Sequence, residues 1–239
     1  MYSSPASGKG YAFVYDGTPA GTVTPLGGSL DPTNYPAVRD SSPWAINNSG
    51  QILATDPTGS VTGTPGSYFV YSNGQTTILP VSAVALNDQG QVAGFTGNPT
   101  TGPPGSEPFN PRAYLYDLAT KTIQYMPATG TAPTEALPVN IPFLAVNNSG
   151  QATGTLTNNH PFLYSDGKTI DLGTLGGTNG YGSAINSQGD VVGYALTANS
   201  QAHAFLYSNG LMKDLGVLPG DFSSWAVSIN NLGQVLGNS

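Results

Sequence analysis

The sequence has no cysteine and few charged side chains of either sign. Disulfides therefore play no part in its stability. Lys and Arg number six against thirteen Asp and Glu, for a net charge of −7, and six cations cannot form the basic patch that phosphate contacts require. We expect no nucleic-acid partner and no attraction to anionic membrane surfaces. No apolar run approaches the roughly 20 residues of a spanning helix, so we also expect no membrane insertion.

Glycine and proline, in contrast, are abundant, at 32 and 20 of the 239 residues. The glycines recur at fixed turn positions, which is typical of a turn-dense all-β protein. The clearest unit runs from Phe162 to Gly193. Its pattern predicts an aromatic strand, an Asp-Gly hairpin turn and a second strand that is apolar at alternate positions. A glycine-rich connection, a small-residue strand, a Ser-Gln-Gly turn and a fourth strand follow.

Looser copies of this unit run along the whole chain. The aromatic strand recurs at residues 13–15, 69–71, 114–116, 162–164 and 205–207. Five small-residue strands each lead into a turn that opens with an asparagine, at Asn47, Asn87, Asn147, Asn186 and Asn230. We expect each of these side chains to bond to the backbone of its own turn, and the glycine three residues later to take positive φ. The repeated Tyr and Phe side chains are expected to pack between neighbouring units.

The spacing of the turns predicts a closed ring. Successive asparagines are separated by 40, 60, 39 and 44 residues, and joining the two chain ends adds a fifth step of 56. The mean of about 48 residues is the period expected for four strands per unit. The chain begins with two strands of one unit and ends with its other two. This pattern predicts a five-bladed β-propeller of four-stranded antiparallel blades, with one blade closed by the N- and C-terminal strands. We expect residues 1–10 to be a flexible tail and residues 11–239 to form this single domain.

The predicted strand order separates short connections from long ones. From the central axis outwards it is the small-residue strand, the Gly-Gln-Val strand, the aromatic strand and the Leu strand. The asparagine turns and the hairpins then share one face, where nearly all connections are short. Long connections fall on the opposite face, at residues 29–43, 55–67, 97–112 and 128–142. Because function concentrates in loops held by a rigid scaffold, we predict the site on this long-loop face.

Three aromatic side chains are candidates for a ligand site at the mouth of the channel on that face. Trp44 and Trp225 each lie just before a small-residue strand, and Tyr181 lies in the matching connection of another unit. Exposed rings at a concave mouth can stack on sugar faces, whereas rings that only fill the channel would have a structural role. Arg39 and Arg112, which lie beside acidic residues of the long loops, complete the candidate ligand-binding set.

A hydrolase would instead require paired carboxylates, about 5 to 10 Å apart in glycosidases. Asp40 and Asp221 are the pair best placed, since each closely precedes one of the two tryptophans. Thirteen acidic residues also supply such pairs by chance. No Gly-x-Ser-x-Gly elbow, P-loop or dinucleotide fingerprint is present, and the Asn186–Asp190 turn has too few carboxylates for a calcium loop. We expect no metal and no cofactor.

The repeat resembles the extracellular HAF-repeat family of bacteria. The resemblance is carried by His-Ala-Phe-Leu-Tyr from His203, by Asp-Leu-Gly at 214–216 and by Ser-Ile-Asn-Asn at 228–231. The unit from Phe162 to Gly193 is also similar, whereas the units near Phe69 and Tyr114 lack the Asp-Leu-Gly motif. The resemblance covers most of the chain. It implies a secreted bacterial repeat protein without an established activity, so no catalytic residue is carried over.

Three functions therefore remain open. The leading hypothesis is a secreted, monomeric binding module that recognises a glycan or another extracellular ligand at the long-loop face. The second is a hydrolase of a polysaccharide or other polymer that uses the paired carboxylates. The third is a structural or adhesion protein without a small ligand.

Overall fold

The computed structural model describes residues 13–15, 23–25, 42–56, 63, 66–80, 82–96, 112–127 and 139–239. All regular elements among these residues are β-strands paired in antiparallel sheets, which confirms the all-β prediction. In this part of the chain no helix is present that could cross a membrane. The chain divides into two compact units, Met1–Ala83 and Val84–Ser239. Residues 1–10, predicted as a tail, and most of the four long connections lie outside the described residues.

The first unit contains a two-stranded and a four-stranded sheet. Strands β1 (Phe13–Tyr15) and β2 (Val23–Pro25) pair with each other. The four-stranded sheet follows chain order, with β3 (Ser42–Ile46), β4 (Ile52–Asp56), β5 (Ser67–Ser72) and β6 (Gln75–Ile78). The β5–β6 hairpin turns at Asn73 and Gly74, both with positive φ, because a two-residue turn of this type requires it.

The second unit contains three four-stranded sheets and one two-stranded sheet. The first consists of β7 (Ser82–Leu86), which spans the boundary between the units, β8 (Gln91–Thr96), β9 (Arg112–Asp117) and β10 (Ile123–Tyr125). The second consists of β11 (Val139–Val146), β12 (Ala152–Leu156), β13 (Pro161–Ser165) and β14 (Lys168–Asp171). The third consists of β15 (Gly176–Ile185), β16 (Val191–Thr197), β17 (Ala202–Ser208) and β18 (Leu211–Gly216), and the pair is β19 (Trp225–Ile229) with β20 (Val235–Asn238).

Each four-stranded sheet has the strand order that the repeat predicts. The small-residue strand lies at one edge, followed by the Gly-Gln-Val strand, the aromatic strand and the outermost strand. Because neighbours are antiparallel, the asparagine turn and the hairpin of one sheet lie at the same end of its strands. We call this end the tight-turn end. The glycines of the asparagine turns have the expected positive φ, between 71° and 87°.

The aromatic strands form the core between successive sheets of the second unit. Along β13, Phe162 and Tyr164 pack into a cluster with residues of the β7–β10 sheet, while Leu163 packs into a cluster with the β15–β18 sheet. Alternate residues of a strand point to opposite faces, so one strand serves two interfaces. Phe162 is fully buried and Tyr164 nearly so. The prediction that these aromatic residues are core is confirmed.

The turn asparagines also join the sheets of the second unit. In Asn87, Asn147, Asn186 and Asn230, the side-chain Oδ1 accepts two backbone N–H bonds of its own turn, at 2.8 to 3.1 Å. This confirms their predicted structural role. In addition, the Nδ2 of Asn87 donates to the carbonyl of Asn147 at 2.8 Å, and the Nδ2 of Asn147 donates to the carbonyl of Asn186 at 2.8 Å. The Nδ2 of Asn186 reaches the carbonyl of Asn230 at 3.4 Å. We call these four residues the asparagine belt.

Candidate functional site

A small cleft lies at the end of the strands opposite the tight-turn end. It has a volume of about 180 Å³ and is lined by Tyr181, Tyr194, Ala202, Ser223 and Trp225. We call it the aromatic cleft. Its volume is below the roughly 300 to 1,000 Å³ of pockets that enclose drug-sized ligands. It therefore suits one ring of a larger ligand rather than a whole cofactor.

Two facing strands fix the tyrosines of the cleft. Tyr181 of β15 lies directly opposite Tyr194 of β16, and their rings meet edge to face with centroids 4.5 Å apart at 86°. The next pair in the ladder is Gly182 opposite Gly193. A Cβ at Gly193 would collide with the carbonyl of Tyr181, so only glycine allows the two strands to approach here.

Ser224 fixes the backbone just before Trp225, the third aromatic residue of the cleft. This residue is 4 % exposed, and its Oγ accepts a bond from the N–H of Ala204 at 2.8 Å and donates to the carbonyl of Gly216. The next residue, Trp225, begins β19 and keeps 40 % of its surface exposed. A buried polar anchor thus holds a partly exposed indole at the rim of the cleft.

Among the described residues that line the aromatic cleft, none has a charged side chain. Burial, and to a lesser degree Tyr194, raises the pKa of Tyr181 above its ordinary value of 10.0. The phenol therefore stays neutral at physiological pH. Neutral hydroxyls and aromatic faces favour an uncharged ligand with hydroxyl groups over an anion or a cation.

The structure brings together some of the predicted site residues. Tyr181 and Trp225 line the same cleft. Trp44 lies in β3 of the first unit and is 58 % exposed, and its Nε1 donates to the Thr55 hydroxyl at 3.4 Å. Arg112 is exposed at the start of β9, and Asp221 is exposed in the connection that precedes β19. Arg39 and Asp40 lie outside the described residues, so the Asp40–Asp221 pair stays a prediction.

Two histidine–aspartate pairs were missed by the sequence reasoning. The Nδ1 of His160 lies 2.9 Å from the Asp171 carboxylate, and His203 and Asp214 form the same pair at 2.9 Å. In both cases the carboxylate also accepts the backbone N–H of the glycine two residues later. The signal was the shared spacing of eleven residues between His and the Asp-Leu-Gly motif. Because the pair recurs equivalently in two sheets, it is part of the repeat's structure.

No group of three or more His, Asp or Glu side chains that could hold a metal ion occurs among the residues with described positions. No protein-family model and no curated protein sequence matches the chain.

Two solved structures show a weak likeness to this chain. The acylaminoacyl peptidase of Pyrococcus horikoshii matches with a TM-score of 0.47 and 14% identity, over 76% of this chain and 27% of the peptidase. TolB from Acinetobacter baumannii matches with a TM-score of 0.47 and 15% identity, over 86% of this chain and 50% of TolB. This chain thus corresponds to half or less of either protein. At TM-scores below 0.5, nothing about its fold or activity follows from these two matches.

Proposed function

We propose that this protein is a secreted binding module of the extracellular HAF-repeat type, and that it recognises a glycan at the aromatic cleft. Trp225 and Tyr181 supply the rings that stack on the apolar face of a sugar, and the neutral hydroxyls of the cleft bond to its polar edge. The observation that carries the proposal is the convergence of three aromatic rings, from β15, β16 and the start of β19, around a cleft whose described lining residues are uncharged. Low chain charge, at 8 % of residues, agrees with a neutral ligand.

A glycan array with the purified, labelled protein tests the proposal. We expect hits among neutral glycans, and we expect Trp225→Ala to weaken their binding at least about fivefold, because stacking on one aromatic side chain contributes roughly 1 to 3 kcal/mol for nucleic-acid bases and we take the same range for a sugar. Phe222→Ala is the matched control, since Phe222 is 81 % exposed in the same connection but does not line the cleft. Equal binding by both variants, or no hits on the array, would contradict the proposal.

The hydrolase alternative is tested separately by turnover. Asp221 and Asp40 are its best-placed pair, and a polymer-degrading activity that survives the double substitution of both with asparagine excludes this pair as catalytic. Absence of both binding and turnover would favour the structural or adhesion role.

We further propose that the chain closes into the five-bladed propeller indicated by its repeats, with β1 pairing to β20. In each four-stranded sheet the aromatic strand pairs with the Gly-Gln-Val strand, and β1 and β20 are the corresponding strands of the two two-stranded sheets. The support for closure is the exposed fraction of the residue six positions after each turn asparagine. Leu53, Ala93, Thr153 and Val192 are all 0% exposed, whereas Leu236 is 67 % exposed. A covering sheet at β19–β20 would remove this exception.

Leu236→Ala tests the closure. If a sheet covers this face in solution, the substitution should lower the free energy of unfolding by about 2 to 5 kcal/mol, as for other buried leucines. If the face is open, the change should stay within about 0.5 kcal/mol, like that of the control Leu211→Ala, whose side chain is 75 % exposed. Equally small losses of stability for the two variants would refute closure of the ring but would leave the proposed glycan site in the aromatic cleft untouched.

A further inference from the structure

A second and larger cleft lies at the tight-turn end, between the β11–β14 and β15–β18 sheets. Its volume is about 470 Å³, and its lining includes Gln151 and Ile170 from one sheet and Gln188, Asp190, Tyr207 and Asn209 from the other. We call it the tight-turn groove. It lies at the opposite end of the strands from the aromatic cleft, so the two are separate sites.

The preceding interface shows why this groove is open. There the Nε2 of Gln124 donates to the hydroxyl of Tyr164 at 2.9 Å. Gln124 pairs with Leu115 in the middle of its aromatic strand, as Ile170 pairs with Leu163 in the next sheet. Ile170 therefore occupies the position of Gln124, one sheet further along.

Because isoleucine stands at position 170 where the preceding sheet has Gln124, the hydroxyl of Tyr207 lacks the partner that Tyr164 has. Tyr207 occupies the position of Tyr164 in the β15–β18 sheet. Ile170 has no polar atom, and within the described part of the chain the Tyr207 hydroxyl has no hydrogen bond. Tyr164 is 3 % exposed, whereas Tyr207 is only partly buried and lines the groove. The groove thus presents a phenol that can both donate and accept.

The groove also contains the carboxylate of Asp190. The other four turns have glutamine at the equivalent position, four residues after the turn asparagine. The turn asparagines Asn47, Asn87, Asn147 and Asn230 each donate from Nδ2 to the Oε1 of the glutamine four residues later. Asn186 instead donates to Oδ2 of Asp190 at 2.9 Å. The turn geometry is kept, and the groove gains a strong acceptor that disfavours anionic ligands.

We propose that the tight-turn groove binds a single neutral sugar unit. The side chain of Ile170 and the ring of Tyr207 contact the apolar face of the sugar, its hydroxyls donate to Asp190, and the Tyr207 hydroxyl and the side-chain amides of Gln188 and Asn209 bond to its remaining oxygens. This site is additional to the aromatic cleft and does not depend on it.

The test uses free glucose, galactose, mannose and N-acetylglucosamine as probes of the full chain labelled with ¹⁵N. We expect at least one of them to shift the backbone amides of Gly189 and Gly210 in a saturable way, with a Kd in the millimolar range that corresponds to about −4 kcal/mol. Failure of all four sugars to shift these amides at about 50 mM, well above such a Kd, overturns the proposal.

Two variants copied from this chain's own repeats locate the binding. Ile170→Gln places the equivalent of Gln124 against Tyr207, and Asp190→Gln restores the glutamine of the other four turns. Asp190→Gln should weaken sugar binding at least about tenfold, since a bond to a charged group is lost, and Ile170→Gln about threefold to tenfold, since the neutral bond to the Tyr207 hydroxyl is lost. Both should keep the thermal midpoint within a few degrees, and wild-type affinity in both overturns the proposal. Should either variant unfold, Tyr207→Phe, which removes only the hydroxyl, takes its place with an expected loss of about threefold to tenfold.

The same spectra separate this proposal from the aromatic cleft. Trp225→Ala should leave the shifts of Gly189 and Gly210 unchanged. Shifts confined to the cleft residues around Tyr181 and Tyr194 would overturn the groove while supporting the cleft. Shifts confined to Gly189 and Gly210 would support the groove and count against the cleft.

Discussion

Replacing Asn147 by alanine should destabilise this protein far more than an asparagine usually does. The side chain is 7 % exposed and makes four hydrogen bonds. Its Oδ1 accepts from the N–H groups of Ser149 and Gln151, both at 3.0 Å, and its Nδ2 donates to Oε1 of Gln151 at 2.7 Å. The fourth bond crosses to the next sheet, where Nδ2 donates to the carbonyl of Asn186 at 2.8 Å.

The expected loss of stability follows from how deeply each of the four hydrogen bonds is buried. The three bonds within the turn are partly buried, and water can replace much of them, so each contributes about 0.5 kcal/mol. The bond to Asn186 is buried, and its loss leaves a carbonyl unsatisfied at about 1 to 3 kcal/mol. We expect Asn147→Ala to lower the free energy of unfolding by about 2.5 to 4.5 kcal/mol.

The neighbouring asparagine is the matched control. Asn148 also bonds across the interface, where its Oδ1 accepts from the N–H of Asp88 at 2.9 Å and its Nδ2 donates to the Asp88 carboxylate at 2.8 Å, but both bonds are exposed. Asn148→Ala should therefore cost less than about 1 kcal/mol. Urea unfolding followed by circular dichroism measures both variants, provided that the slope with urea is unchanged. Equal losses for the two variants would refute the argument that burial of the cross-sheet bond stabilises the interface.

Two further perturbations address single contacts. Gly182→Ala places a Cβ against the hydroxyl of Thr153 in the neighbouring sheet, so we expect a loss of about 1 to 3 kcal/mol in thermal unfolding, and adding Thr153→Ala should recover part of it. For Asp171, burial raises the pKa, but bonds from the Gly173 backbone, Asn158 and His160 together outweigh burial and hold it below the ordinary 3.8. The carboxylate should thus add stability that is complete above pH 3.8 and is lost as the pH falls through the lower folded value; a wild-type acid transition identical to that of Asp171→Asn would contradict this.

The sequence was sufficient to predict the elements of the repeat. Hairpin turns at Asp166-Gly167 and Asn209-Gly210, with positive φ at all four residues, and the order of strands in each sheet are as the pattern indicated. These features depend on local chemistry, namely which residues tolerate positive φ and which alternate between two buried faces. The burial of Phe162 and its equivalents could be predicted for the same reason.

The candidate sites could be predicted only in part. Trp225 and Tyr181 could be predicted from their places in the repeat. Tyr194, which meets Tyr181 edge to face, could not, because only the pairing of β15 with β16 brings it into the cleft. The tight-turn groove was missed because the sequence reasoning looked only to the long-loop face. The groove is open because Ile170 stands where the preceding sheet has Gln124. The importance of this difference depends on the bond from Gln124 to a tyrosine of the next sheet, which only the structure shows.

Local patterns along the chain thus determined the strands, the turns and the residues that make the core, because each of these depends on near neighbours in sequence. Tertiary structure alone decided which side chains meet across an interface between sheets. The bond from Asn147 to Asn186 joins residues 39 positions apart, and that from Gln124 to Tyr164 joins residues 40 apart. Such contacts depend on how one sheet lies on the next, and no local pattern specifies that register.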